Sequence, residues 1–468
     1  AALGPRPRAV ELPPGVGVVG VEQQGQGGGA LQARVRLRDG RWSPWAAACS
    51  QAHGPEGARG DAAGEPLWVG GARELELRSA AAVHGARLRY VLAGAGSAGA
   101  RAAAAALPLA QPQLAAASGQ PAIIARSAWA HGTQLPRAAP LYGEVQLGFV
   151  HHTENPNGYG PGEVPEMLRS IYVFHRDVNG WNDIGYNFVV DLFGRVWEAR
   201  AGGIDEPVVG AHAGGYNLVS MGVAVLGSFS GTPISAVARH ALQRLLAWKL
   251  ALHGAPSQGR VVVRVNPAGA SYSKYPARAR VSLPRIAGHR DADSTDCPGN
   301  ALYGELPGVR RAVAGLSGRP VIATLALQVP AAPAPVAGSP AASEPGPGAP
   351  TTSAAPTESP PASAVPELLV TLTRLDDSPL VGAQVLLQAR TVSRRGELVV
   401  HKPVGEGTTD GEGHCLLPAS FAVGAAKPLW IRALYPGGPA GGAAVSRAVL
   451  VDPLEATISP SAGSSPSG

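Results

Sequence analysis

Residues 329–366 cannot bury a core. The stretch is made of Pro, Ala, Ser, Thr, Gly and Val, with no Lys or Arg and only Glu344 and Glu358 charged. Such a composition lacks the apolar surface needed to offset the entropy of ordering, and it behaves as an extended spacer. It therefore divides the 468-residue chain into parts that fold about separate cores, and the length suits two to four domains. The 62 Gly and 44 Pro fall mostly outside periodic runs, which predicts loop-rich β modules and rules out a long coiled coil. With no uncharged apolar run of 18 residues, a polytopic membrane protein is also excluded. The formal charge of +6 comes without basic runs interleaved with aromatics, which argues against nucleic acid. A diffuse positive charge suits a polyanionic surface and an ordinary solvated exterior equally.

Residues 1–95 read as a β-rich domain. Leu31, Ala33, Val35 and Leu37 alternate with polar residues before a turn at Asp39-Gly40, and Leu75/Leu77 and Leu88/Tyr90/Leu92 repeat the period. Trp42, Trp45 and Trp68 sit among these strands as core packing or a ligand face. Residues 96–120 form an Ala-rich connector. From 121 to 318 the pattern is α/β. Buried strands are expected over 146–153 (QLGFVHHT) and 220–229, with short ones over 187–191 and 195–198. Met167, Ile171, Phe174 and Val178 recur at helical spacing, as do Val237, Ala241, Leu245, Trp248 and Leu252 before Gly254. An inserted hairpin loop is expected over 260–283, and a last helix after Pro298-Gly299. Beyond the 329–366 spacer, 367–455 returns to β and 456–468 is a tail.

Chemistry concentrates in the middle domain. His151-His152 ends one predicted strand, and His289 and Cys297 lie in GHRDADSTDCPG (288–299). Two His and a Cys are borderline and soft ligands suited to Zn²⁺, and three protein ligands leave the fourth tetrahedral position open, as in catalytic sites. Each residue alone reads more readily as packing than as a ligand. The cysteines Cys49, Cys297 and Cys415 are too scattered for a disulfide framework and leave one over.

Six blocks stand in order here: FVHHT (149–153), GWNDIGYNFVV (180–190), GRVWEAR (194–200), VGAHAGGYN (209–217), MGVAVLGSF (221–229) and GHRDADSTDCPG. Together they resemble the peptidoglycan recognition proteins, the zinc-dependent type 2 N-acetylmuramoyl-L-alanine amidases. The resemblance implies a central mixed β-sheet flanked by helices and a Zn²⁺ held by His151, His289 and Cys297, with His152 packing or bonding behind them. It implies Tyr186 and Thr295 as catalytic residues; phage members carry Lys where Thr295 stands. Hydrolysis would fall on the amide between the muramic lactyl group and L-alanine of peptidoglycan. Gly180-Trp181 and Arg200 match members that select meso-diaminopimelate, whose side-chain carboxylate an arginine fork can pair. His212 and Asn217 are implied as further groove residues, and an ordinary turn role for Asn217 stays open.

The implied partners are the stem peptide and glycan of peptidoglycan and an anionic cell-wall polymer, with no nucleic acid and no membrane span. The implied location is secreted or cell-wall associated. A chain opening Ala1-Ala2-Leu3 with no Met or apolar signal core fits a mature form and a fragment equally. The C-terminal part, with SPLVGAQVLL (378–387) and TTDGEGHCLLP (408–418), resembles an Ig-like or carboxypeptidase-regulatory-like sandwich. Two other functions stay open: a non-catalytic peptidoglycan-binding protein, and a wall-associated adhesion protein. Non-catalytic relatives usually lack the cysteine ligand, and Cys297 is present here.

Overall fold

The computed structural model describes residues 3–22, 31–37, 39–48, 65–83, 86–93, 119–130, 134–317, 320–328, 365–395 and 399–453. Most of the connector, residues 329–364 of the spacer, the tail and Cys49 lie outside them.

The N-terminal domain is a pair of antiparallel sheets. Its strands are β1 (Arg8–Glu11), β2 (Val16–Glu22), β3 (Leu31–Val35), β4 (Ala46–Ala47), β5 (Leu67–Trp68), β6 (Glu74–Ser79) and β7 (Arg87–Leu92), in orders β1-β6-β3-β4 and β5-β2-β7. The period-two pattern places Leu31, Ala33, Val35, Leu75 and Leu77 inside. Trp68 is buried. Trp42 and Trp45 are half-buried, with the Arg34 guanidinium 4.8 and 4.6 Å from their ring centroids.

The middle domain has three layers. Its strands are β8 (Ile123–Ile124), β9 (Leu147–His152), β10 (Phe188–Val190), β11 (Val196–Glu198), β12 (Ser220–Val225), the hairpin β13 (Arg260–Arg264) and β14 (Arg280–Pro284), and β15 (Ile286–Gly288). Its helices are α1 (Ser127–Ala130), α2 (Val164–Val173), α3 (Ala236–Leu252) and α4 (Asn300–Leu316). The six-stranded sheet runs β15-β9-β12-β10-β11-β8 and is parallel except between β10 and β11. A sheet covered on both faces buries every residue of its central strands, as in the mainly apolar LGFVHH and SMGVAV. Val223 and Val225 of β12 face α3 and α4, while Ala224 faces α2. Pro165 stands in the first turn of α2, where its missing N–H costs nothing, and a π turn (Phe174–Val178) carries that helix on to Val178. The Ser235 hydroxyl accepts the Ala238 N–H to start α3. Val237 departs from the amphipathic expectation: it is 56% exposed in the first turn.

The C-terminal region adds β16 (Val321–Gln328), β17 (Glu367–Arg374), β18 (Gln384–Val392), β19 (Val399–Thr408), β20 (His414–Pro418), β21 (Leu429–Tyr435), β22 (Ala444–Val445) and β23 (Val449–Val451). They form sheets β16-β17-β20 and β19-β18-β21-β22, with β23 on β21. Strand β16, which precedes the spacer, pairs along its whole length with β17, which follows it. Successive residues of β20 point oppositely, so Cys415 is buried while His414 is not.

Both flanking regions pack on the middle domain. Strand β2 is buried on two faces: Val16, Val19 and Val21 line its own core, and Val18 packs with Ile171 and Phe174 of the α2 segment. Gly20 makes that approach feasible, since a Cβ there would overlap the Phe174 ring. On the other side Leu434, Ala443 and Val445 join the core beneath α3. No helix among the described residues is long and apolar enough to cross a membrane.

Candidate metal centre

Parallel strands bring their carboxyl ends to one edge of the sheet, where side chains from several elements can meet. His151 is at that end of β9, and His289 directly follows neighbouring β15. Cys297 returns to the same edge on the loop before α4. The candidate ligand atoms of His151, His289 and Cys297 all lie within 4.8 Å of one another, and all three residues are buried. Cys297 Sγ is 3.7 Å from His151 Nδ1, a separation suited to two ligands of one tetrahedral ion.

The surrounding bonds assign the ring atoms. His289 Nε2 lies 3.0 Å from Asp293 Oδ2, so the carboxylate takes that N–H and Nδ1 is left to face the cluster. Asp293 is itself held by the Gly214 N–H at 2.9 Å. His151 Nε2 is 3.2 Å from His212 Nδ1. Burial, followed by the neighbouring His289 and Arg200, holds His212 well below its ordinary 6.5 and so neutral, able to accept the N–H of a His151 whose Nδ1 faces Cys297. His152 turns away: its Nδ1 accepts the Phe229 N–H at 3.3 Å, and its backbone N–H points to Cys297 Sγ at 3.4 Å.

The other sequence-predicted residues surround this cluster in different ways. The Tyr186 ring lies 5.4 Å from that of His151. The Thr295 hydroxyl accepts the Cys297 N–H at 3.2 Å. Trp181 is buried, stacked on His175 with ring centroids 4.4 Å apart, just after Gly180 at φ +75°. Arg200 is 8% exposed and donates to Ile184 O; burial lowers its pKa. Asn217 is buried and its Oδ1 accepts the His212 and Ala213 N–H groups, so it shapes the turn that carries His212.

Sequence reasoning passed over Asp293, although its spacing of four from His289 was a usable signal. It also passed over Glu65 and His175, which sit against Tyr186; nothing in the local sequence marks Glu65.

His212 is seated against Gly222 of β12, where a Cβ would overlap its ring. Gly222→Ala is therefore expected to push His212 off His151. Overpacking should cost about 1–3 kcal/mol, and losing the bond behind a ligand should weaken zinc binding roughly 10- to 100-fold. Chelator competition and thermal melting check both.

Residues 141–300 match the family model described as N-acetylmuramoyl-L-alanine amidase. Residues 14–110 match one described as Rv3811 N-terminal galactose-binding domain-like. The chain is 29% identical over 184 residues to peptidoglycan-recognition protein SC2 of Drosophila melanogaster, covering 39% of this chain and 84% of that protein. Human N-acetylmuramoyl-L-alanine amidase is 33% identical over 190 residues, 40% of this chain and 28% of the human protein. The solved structure of wild-type Drosophila PGRP-LB is 25% identical, covers 39% of this chain and 91% of its own, and has a TM-score of 0.29. The middle of this chain thus matches the N-acetylmuramoyl-L-alanine amidase family model and carries a His–His–Cys cluster typical of a zinc amidase site, after a region that matches the Rv3811-like model.

Proposed function

We propose that this protein hydrolyses the amide between N-acetylmuramic acid and L-alanine in peptidoglycan, using Zn²⁺ held by His151, His289 and Cys297. The observation that carries the reading is the convergence of these three side chains with Asp293 fixing the tautomer of His289. Bound zinc supplies a Lewis acid that polarises the scissile carbonyl and acidifies the attacking water. The chain supplies the rest. Asp293 and His212 orient the two ligand rings. The Thr295 hydroxyl, which accepts from Cys297 N, keeps its own proton to offer to the developing oxyanion. Tyr186, beside His151, handles the proton of the attacking water.

On this reading wild-type protein digests purified peptidoglycan with release of new L-alanyl N-termini, stops when chelated and resumes with zinc. Binding of a muropeptide with no such release would establish the non-catalytic alternative instead. We read the preferred stem as the meso-diaminopimelate type, on Gly180, Trp181 and Arg200. A guanidinium-to-carboxylate pair contributes about 1.5–3 kcal/mol. Arg200→Ala should therefore lower the preference for diaminopimelate over lysine stems by roughly 10- to 100-fold in kcat/KM; an unchanged ratio removes Arg200 from recognition.

The same reading places the protein at the cell wall, secreted or wall-associated, with its net charge of +6 facing an anionic polymer. Fractionation that found it confined to the cytoplasm would overturn that placement. We read the C-terminal sheets, packed about Val370, Leu387 and Ile431, as an Ig-like module.

A further inference from the structure

The N-terminal domain puts a carboxylate against the amidase site. Glu65 Oε2 lies 2.9 Å from the Tyr186 hydroxyl and 3.3 Å from His175 Nε2, with its side chain 16% exposed. Protons can be placed on this chain of groups. His175 Nδ1 accepts the Gly185 N–H at 3.2 Å, so the ring proton is on Nε2 and is donated to Glu65. Trp181, stacked on the same ring, fixes its plane. An ionised carboxylate only accepts, so the single phenol proton of Tyr186 also points to Glu65. The phenol oxygen keeps its lone pairs for another donor, and the Tyr186 ring lies 5.4 Å from that of His151.

A tyrosine so arranged cannot give its proton to an oxyanion without giving up Glu65. It is arranged to receive a proton on oxygen while passing its own onward. The position of Glu65 is not incidental either. Three residues later the Trp68 N–H bonds to Asn155 Oδ1 of the middle domain, and β2 is seated on the α2 segment through Val18 and Gly20.

We propose that Glu65 is the proton acceptor for amide hydrolysis, working through Tyr186, so that the N-terminal domain completes the active site of the amidase domain. The inference rests on the amidase reading above. As the water oxygen bonds to the carbonyl carbon, its proton passes to the phenol oxygen and the phenol proton passes to Glu65. When the C–N bond breaks, the protonated Glu65 returns a proton through the phenol to the leaving nitrogen. Water is consumed, a carboxyl group and an amine are formed, and Glu65 and Tyr186 end as they began. Glu65 is thus the end acceptor acting through Tyr186, Tyr186 is the relay, and the oxyanion donor is Thr295.

The test uses the full chain with zinc content matched across variants. Glu65→Gln keeps an acceptor oxygen for Tyr186 and His175 but cannot take up a proton; Glu65→Ala loses both. General acid–base groups contribute about 10²- to 10⁴-fold, and both variants should lose at least tenfold in kcat with KM within about twofold. Binding of N-acetylmuramoyl-L-alanyl-D-isoglutamyl-meso-diaminopimelate to the zinc-free chain, measured by calorimetry, should be unchanged. Full turnover in Glu65→Gln overturns the relay, because an acceptor that cannot be protonated would then suffice. Faster turnover or tighter binding in Glu65→Ala overturns it in favour of Glu65 as a plug over the site. Failure of the amidase reading is separate: there the wild-type chain itself releases no L-alanyl N-termini.

Discussion

Cys297→Ala is expected to leave a folded protein that neither retains zinc nor releases L-alanyl N-termini from peptidoglycan. Cys297 lies on the loop before α4, and its Sγ meets the His152 N–H at 3.4 Å, the His152 carbonyl at 4.0 Å and His151 Nδ1 at 3.7 Å. Removing it empties one corner of the cluster without breaking the sheet. A tetrahedral site that keeps one position for chemistry has three protein ligands, and with two it cannot hold the ion against water. The loss should far exceed the roughly 10- to 100-fold that follows from removing a partner behind a ligand. Asp293→Ala measures that smaller effect in the same protein, since it frees His289 Nε2 but leaves all three ligands in place. The ordering Cys297→Ala and His289→Ala below Asp293→Ala, in both zinc content and kcat/KM, is the expected result. A Cys297→Ala chain with full zinc and wild-type turnover would end the metal reading.

The strands that carry the cluster were legible because each is written locally, whereas its three side chains stood out only through the order of the six blocks. The apolar run before His151 specifies a buried strand, and parallel pairing of β9 with β15 needs only two such runs. The same holds for α3, whose apolar residues recur at helical spacing between Ser235 and Gly254. What stayed hidden depends on how separate cores dock. Glu65 stands in a stretch with no periodicity, and it reaches Tyr186 only because β2 packs on α2. His212 reads as a groove residue in VGAHAGGYN, whereas its seat against Gly222 turns it behind His151. Asn217 likewise spends its side-chain oxygen on the turn holding His212. Periodicity reports which face of an element is buried, but not which neighbour buries it.

The second large effect is expected at the seam between the middle domain and the C-terminal sheets. Asp205-Glu206 follows the amidase block ending at Arg200, and nothing in sequence marks it as an interface. In the structure Glu206 Oε1 lies 2.8 Å from Arg432 Nη1 and 2.7 Å from His401 Nε2, and its Oε2 lies 2.5 Å from Arg390 Nη1. Arg432 Nη2 reaches Asp205 Oδ2 at 2.7 Å. Both acids come from one domain, both arginines and the histidine from the other, and all five are buried. Burial alone would raise the Glu206 pKa, but the His401 hydrogen bond and the charges of Arg432 and Arg390 outweigh it and hold the carboxyl at about 2. The folded value lies below the unfolded one, near 4.3. Glu206 therefore contributes stability that is present above that pH and lost as pH falls toward 2. A buried pair broken from one side leaves the other charge desolvated and alone, at about 3–5 kcal/mol. Glu206→Ala strands Arg390 and takes one partner each from Arg432 and His401, whereas Arg432→Ala removes the salt-bridge partner of Asp205 but leaves Glu206 with Arg390 and His401, so the former should be the worse at neutral pH. Removing Glu206 and Arg432 together should cost less than the sum of the single changes, because each deletion removes part of the other's penalty. Denaturant titrations of the four chains at pH 7 supply the cycle. Additive losses would mean that Glu206 and Arg432 act independently and that no ion pair between them couples the seam, leaving Leu434, Ala443 and Val445 against the α3 core as its shared contact.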